Sequence, residues 1–136
     1  MNPHIRIDDA IAEIDSAFTG SVTYDPEPGA AERVRGLVLQ LRWKTQGQGD
    51  TDTRALDEVR VPTLPGGAID STWSVPIPLS EPISYHGRLM AIEWELTATL
   101  DVKRRIDPNW SMRVVVVPRN GRAYYDGPHP LPPSRF

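Results

Sequence analysis

Glu93 and Glu95 stand two apart in a run of alternating apolar and polar residues. In a strand that spacing puts both carboxylates on one face, roughly 7 Å apart. Such a pair can do acid–base work when an enclosed cleft raises the pKa of one member. Here the residues between them are apolar, so the pair is expected on a solvated face. The three histidines, His4, His86 and His129, have no partner at metal-ligand spacing and no carboxylate cluster beside them. Ser84 and His86 lie two apart without a third group to complete a nucleophilic triad, and there is no Gly-x-Ser-x-Gly elbow. Asp50-Thr-Asp52 begins a calcium-loop rhythm but lacks its glycine and terminal glutamate. Gly47-Gln-Gly49 lacks the lysine and helix of a phosphate cradle. The expectation is a non-enzyme with no catalytic, cofactor-binding or metal-ligating residues.

Binding chemistry is concentrated towards the C-terminus. Lys103, Arg104, Arg105, Arg113, Arg119 and Arg122 form a basic stretch, and Trp110, Tyr124 and Tyr125 are aromatics that could stack on a base or a sugar ring. Pro130-Leu-Pro-Pro133-Ser-Arg135 has the spacing of a polyproline ligand for an SH3-type groove. The candidate partner-binding residues are therefore Arg104, Arg105, Trp110, Arg119, Arg122, Tyr124, Tyr125, Pro130, Pro133 and Arg135. The net charge of −3 weighs against nucleic acid as the partner. That charge is unevenly spread: residues 1–102 hold 8 basic and 16 acidic side chains, a net of −8, and residues 103–136 hold 7 and 2, a net of +5. A molecule polarised in this way can assemble head to tail or offer its basic end to an anionic partner.

The elements that must carry these residues are strands. Met90, Ile92, Trp94, Leu96, Ala98, Leu100 and Val102 fall on every second position, which places them on one face of a long strand with polar residues on the other. Leu37, Leu39, Leu41 and Trp43 do the same between Val34 and Lys44, and Val38 on the opposite face suggests partial cover on both sides. Shorter candidates are Phe18–Tyr24, Leu56–Val61, Ser71–Leu79 and Trp110–Val117. In Ser71–Leu79 the residues Trp73, Val75, Ile77 and Leu79 share a face, while Pro76 and Pro78 make it an edge strand or one that leaves the sheet early. Residues 8–17 read either as a helical turn or as a first strand.

Fourteen prolines, ten glycines and turn clusters such as Asp25–Gly29, Pro65-Gly-Gly67 and Asn120-Gly121 divide the chain into many short elements. The expected fold is an all-β, immunoglobulin-like antiparallel sandwich over residues 1–117, followed by an extended proline-rich tail over 118–136. There is no cysteine, no signal-peptide pattern and no apolar run long enough to span a bilayer, so a cytoplasmic protein without a membrane span is expected.

The stretch Trp73–Gly87 followed by Arg88–Val102 resembles the arrestin-like domains. In that family an apolar strand punctuated by proline ends in a proline-and-serine turn, here Pro82-Ile-Ser-Tyr85, and leads into a long alternating strand, here Ile92–Ala98. Phe18-Thr-Gly-Ser-Val-Thr-Tyr24 is similar to the glycine-containing strand near the start of those domains, with Val34–Trp43 as the strand that follows. The resemblance covers roughly residues 18–117 and implies a sandwich that binds proteins without catalysis, as an adaptor or scaffold. Two other readings remain open: a self-assembling structural subunit, and a carbohydrate- or other ligand-binding sandwich using Trp110, Tyr124 and Tyr125.

Overall fold

The computed structural model describes residues 3–27, 29, 33–47, 51–103 and 107–121. Among them the chain forms ten strands: β1 (His4–Ile7), β2 (Ile11–Glu13), β3 (Ala17–Tyr24), β4 (Val34–Gly47), β5 (Thr53–Ala55), β6 (Val59–Pro62), β7 (Ile69–Pro76), β8 (Tyr85–His86), β9 (Met90–Val102) and β10 (Asn109–Val117). β1, β3 and β7 make a three-stranded sheet with β3 in the centre. The second sheet runs β2-β10-β9-β4-β5, with β6 added to β4 and β8 to β9.

The two long alternating segments are the spine of the larger sheet. β4 and β9 are antiparallel from Val34↔Val102 to Gly47↔Met90, with a bulge at the Val34/Gly36 end. That extra residue reverses the alternation, so Val34 and Leu37 both reach the core although they are three positions apart. Rows of apolar side chains cross the inner face in register: Leu41 lies opposite Leu96, which lies opposite Met112, and Trp43 opposite Trp94, which lies opposite Val114. Phe18, Val22, Trp73 and Val75 from the smaller sheet close on them, giving one core with no buried polar or charged residue among those described. Each fully buried leucine or valine contributes about 1.5–3 kcal/mol relative to exposure, which is why the period-two pattern dictates which face turns inward.

Gly20 shows how sequence fixes local packing in the smaller sheet. It stands between Ile7 on β1 and Trp73 on β7. A Cβ there would collide with the Arg6 carbonyl and the Trp73 ring. The indole thus lies across the glycine, and its Nε1–H donates to the Ser21 carbonyl at 3.2 Å.

Three sequence expectations change. The sandwich is not wholly antiparallel, because β2 pairs with β10 in parallel, Val115↔Ile11 to Val117↔Glu13. This also resolves residues 8–17 into a short strand and a turn at Asp15, whose φ is +68°. The strand at 71–79 ends at Pro76, and Leu79 is 58% exposed instead of sharing the core with Trp73, Val75 and Ile77. Once the ladder is broken at a proline, alternation no longer fixes direction. Met90, the first residue of the long alternating run, is also exposed. β5, which has no apolar face, gave no periodic signal. The edge position expected for the proline-bearing strand is observed, since β7 is an outer strand of its sheet. Arg119 ion-pairs with Asp15 at 2.6 Å and the Asn120 N–H donates to the Glu13 carboxylate, so residues 119 and 120 are held against the β2 turn.

Candidate functional site

Most of the residues singled out for partner binding, namely Arg104, Arg105, Arg122, Tyr124, Tyr125, Pro130, Pro133 and Arg135, lie outside the described residues, as does His129. Two lie within them. Trp110 is on the inward face of β10, opposite Ala98, half-buried and packed against the core. A small residue on β9 leaves room for the large ring beside it. Arg119 is exposed and engaged with Asp15. The structure therefore does not bring Trp110 and Arg119 into one patch: one ring packs inward at the start of β10, and the other side chain tethers the turn after its end.

The carboxylate pair sits where the sequence placed it, on the outer face of β9, and it is compensated by cations in register. Glu95 lies between Arg42 on β4 and Arg113 on β10, with Arg42 Nε 4.0 Å from its Oε1. Glu93 lies opposite Lys44. Cross-strand pairs of opposite sign add modestly to sheet stability. With both carboxylates open to water beside cations, the arrangement is a charge ladder rather than an acid–base couple. These side chains, with Thr53, line a shallow cleft of about 310 Å³ on the outer face. A similar cross-strand bond joins Arg60 and Asp101 at 3.0 Å. It passes over Gly36, where a Cβ would lie 3.4 Å from the guanidinium and 2.8 Å from the Val61 carbonyl.

Ser84 and His86 flank Tyr85 beside β9, with β8 paired Tyr85↔Ile92 and His86↔Ala91. Ser84 is occupied by main-chain bonds: its Oγ accepts from the Val116 N–H and its N–H donates to the Val116 carbonyl, both at 2.8 Å. The segment before it is pinned twice more. The Trp94 Nε1–H donates to the Pro82 carbonyl at 3.0 Å, and the Trp43 Nε1–H donates to Glu81 Oε2 at 3.0 Å. Glu81 Oε1 also meets Arg54 Nε at 3.0 Å, and its side chain is only 7% exposed. Among the described residues no group of three or more histidines and carboxylates could hold a metal ion, and no helix is long and apolar enough to cross a membrane.

The feature that sequence reasoning missed is the outer edge of β5. Asp52 accepts from the Thr45 N–H at 2.8 Å and the Leu56 N–H donates to Leu41 at 2.9 Å, so residues 52, 54 and 56 address β4. By alternation the main-chain groups of Thr53 and Ala55 point away from it. All three residues of β5 are exposed, the outward positions carry small uncharged side chains, and no described strand lies beyond. Its only cation, Arg54, faces Glu81. The single signal available in sequence was negative: a short polar run after a Gly-rich turn, with no proline.

No known protein-family profile matches the chain, and no curated protein matches it in sequence. Among solved structures, Spo0M, the sporulation control protein of Bacillus subtilis, matches with a TM-score of 0.65 at 18% identity over 85% of this chain. The match covers 49% of the Spo0M chain, so this chain spans about half the length of that neighbour. The fold class is an all-β, immunoglobulin-like sandwich built like that of Spo0M, in keeping with the arrestin-like fold expected from sequence.

Proposed function

We propose that the chain is a non-catalytic, arrestin-like protein-binding module that acts as an adaptor or scaffold and receives an extended segment of its partner along β5. The observation that carries this reading is the open β5 edge. Unpaired N–H and C=O groups in a row are a template for another strand, and proteins usually blunt such an edge with lysine, proline or a bulge. β7, the outer strand of the smaller sheet, ends in Pro76; β5 carries no lysine, proline or bulge, and its three-residue length is all that limits pairing there. Main-chain pairing supplies affinity, and alternate side chains of the guest, lying beside Thr53 and Ala55, supply selectivity. The structural neighbour Spo0M is a sporulation control protein, which supports a regulatory role over a metabolic one.

The test is Ala55→Pro. It removes an outward N–H from an exposed position without touching the ladder to β4. Affinity capture from native lysate with wild type and with this variant, quantified by mass spectrometry, should return a stoichiometric partner with the first and lose it with the second. Equal recovery with both would exclude the β5 edge. Recovery of the bait's own copies alone would favour the self-assembling subunit, which the −8 and +5 charge division also motivates.

A further inference from the structure

The end of the molecule formed by the β8–β9 hairpin has a different surface from the rest. Residues 85–90 are all exposed. The hairpin closes through the Gly87 N–H, which donates to the Met90 carbonyl at 2.8 Å, leaving Arg88 and Leu89 as its two-residue apex. Leu89 is 74% exposed, Tyr85 50% and Met90 45%. Three of the five large apolar side chains exposed among the described residues thus fall within six positions. The tip is also braced, since Met90 pairs with Gly47 at the end of β4, and the Leu89 carbonyl would sit 2.5 Å from a Cβ at that glycine. The apolar side chains are therefore held outward on a supported hairpin.

We propose that this hairpin is a peripheral membrane-docking tip that inserts Leu89 and Met90 into the surface of an anionic bilayer. Two observations favour a lipid surface over a protein groove. The first is shape: the apolar groups crown a convex two-residue apex, which can bury its side chains in a soft surface without a complementary pocket. The second is charge: from Pro82 to Ile92 there is no carboxylate, and Arg88 stands at the apex, in a chain whose first 102 residues are net −8. An arginine beside inserted aliphatic side chains keeps its head among lipid phosphates while its stem lies along the acyl boundary, and Tyr85 lies behind it, where aromatic rings settle at the headgroup level. Two inserted aliphatic residues give weak, reversible attachment. This surface is separate from the β5 edge and does not depend on the reading given to that edge.

The experiment is co-sedimentation of the full chain with vesicles of phosphatidylcholine alone and of phosphatidylcholine with phosphatidylserine. Wild type should partition onto the anionic vesicles in preference to the neutral ones. The double variant L89S/M90S should lower that partitioning about tenfold or more, because each lost 1.4 kcal/mol of apolar transfer is a factor of about ten. Arg88→Glu should abolish the preference for anionic lipid. Ala55→Pro should bind vesicles as wild type does, which separates failure of this proposal from failure of the β5 reading. Unfolding midpoints of the tip variants should match wild type, since the residues are exposed. No partitioning of wild type, or equal partitioning of wild type and L89S/M90S, overturns the proposal. So does conversion of a lipid-free dimer to a monomer by L89S/M90S on size exclusion, which would make the tip a contact between copies.

Discussion

Ser84 satisfies both main-chain polar groups of Val116, accepting from its N–H through Oγ and donating to its carbonyl through the amide. Val116 is fully buried, and β10 leaves β9 after Val114↔Trp94, so without Ser84 this residue would have no partner on that side. One serine stands in for a strand. Ser84→Ala removes the acceptor and leaves a buried N–H unpaired, which costs about 1–3 kcal/mol. Urea denaturation should show that loss, and Ser84→Thr, which keeps the oxygen, should recover most of it.

Gly20 admits no side chain. Its missing Cβ is the space that the Arg6 carbonyl and the Trp73 ring occupy. Gly20→Ala should destabilise by about 3 kcal/mol or more, beyond the usual overpacking range because main chain as well as ring must move. The Trp73 indole would have to leave its place over β3, so near-UV circular dichroism is the second readout. A variant with wild-type stability would contradict the packing described.

Glu81 joins an exposed partner to a shielded one. Arg54 is 61% exposed, whereas Glu81 is nearly enclosed and also receives the Trp43 indole. Arg54→Ala should therefore cost less than Glu81→Ala, because the second also leaves the half-buried indole N–H of Trp43 without its acceptor. A double-mutant cycle on Arg54 and Glu81 should give a coupling of about 0.2–1 kcal/mol. Added salt should reduce it further.

Leu41 and Leu79 are the same residue type in opposite surroundings. Leu41→Ala should cost about 2–5 kcal/mol by opening a cavity in the core between the two sheets. Leu79→Ala should change stability by no more than about 0.5 kcal/mol. Thermal unfolding of the two variants side by side is the measurement.

The contrast between Leu41 and Leu79 also marks what was legible in the sequence. Leu37 to Trp43 and Ile92 to Val102 declare themselves because a wet outer face and a dry inner one impose a period of two over many residues. The edge character of β7 was readable from Pro76. Leu79 was not, because its apparent register continues across two prolines after the ladder has ended. β2 was beyond reach for another reason: Ile11-Ala-Glu13 is too short for periodicity, and its partner on β10 lies 104 residues away. The Glu81–Trp43 and Ser84–Val116 bonds likewise join residues 38 and 32 positions apart, and nothing local in either segment announces them. For the binding surfaces, Glu93 and Glu95 were correctly placed on a solvated face. The β5 edge stayed hidden because an open edge is defined by the strand that is missing beside it.

The parallel pairing of β2 with β10, reinforced by Arg119 on Asp15, ties residues 11–15 to residues 115–119. Contacts this distant in sequence must wait for the whole intervening loop to be ordered, which slows folding. On the ribosome the consequence is a matter of timing: a nascent chain with β1 to β9 already free of the exit tunnel still lacks β10, so β9 and β2 each have a raw side until β10 is released. Synthesis, rather than collapse, would then set when the sandwich closes. A chain stalled before Val117 should be captured by chaperones or should associate through those raw sides.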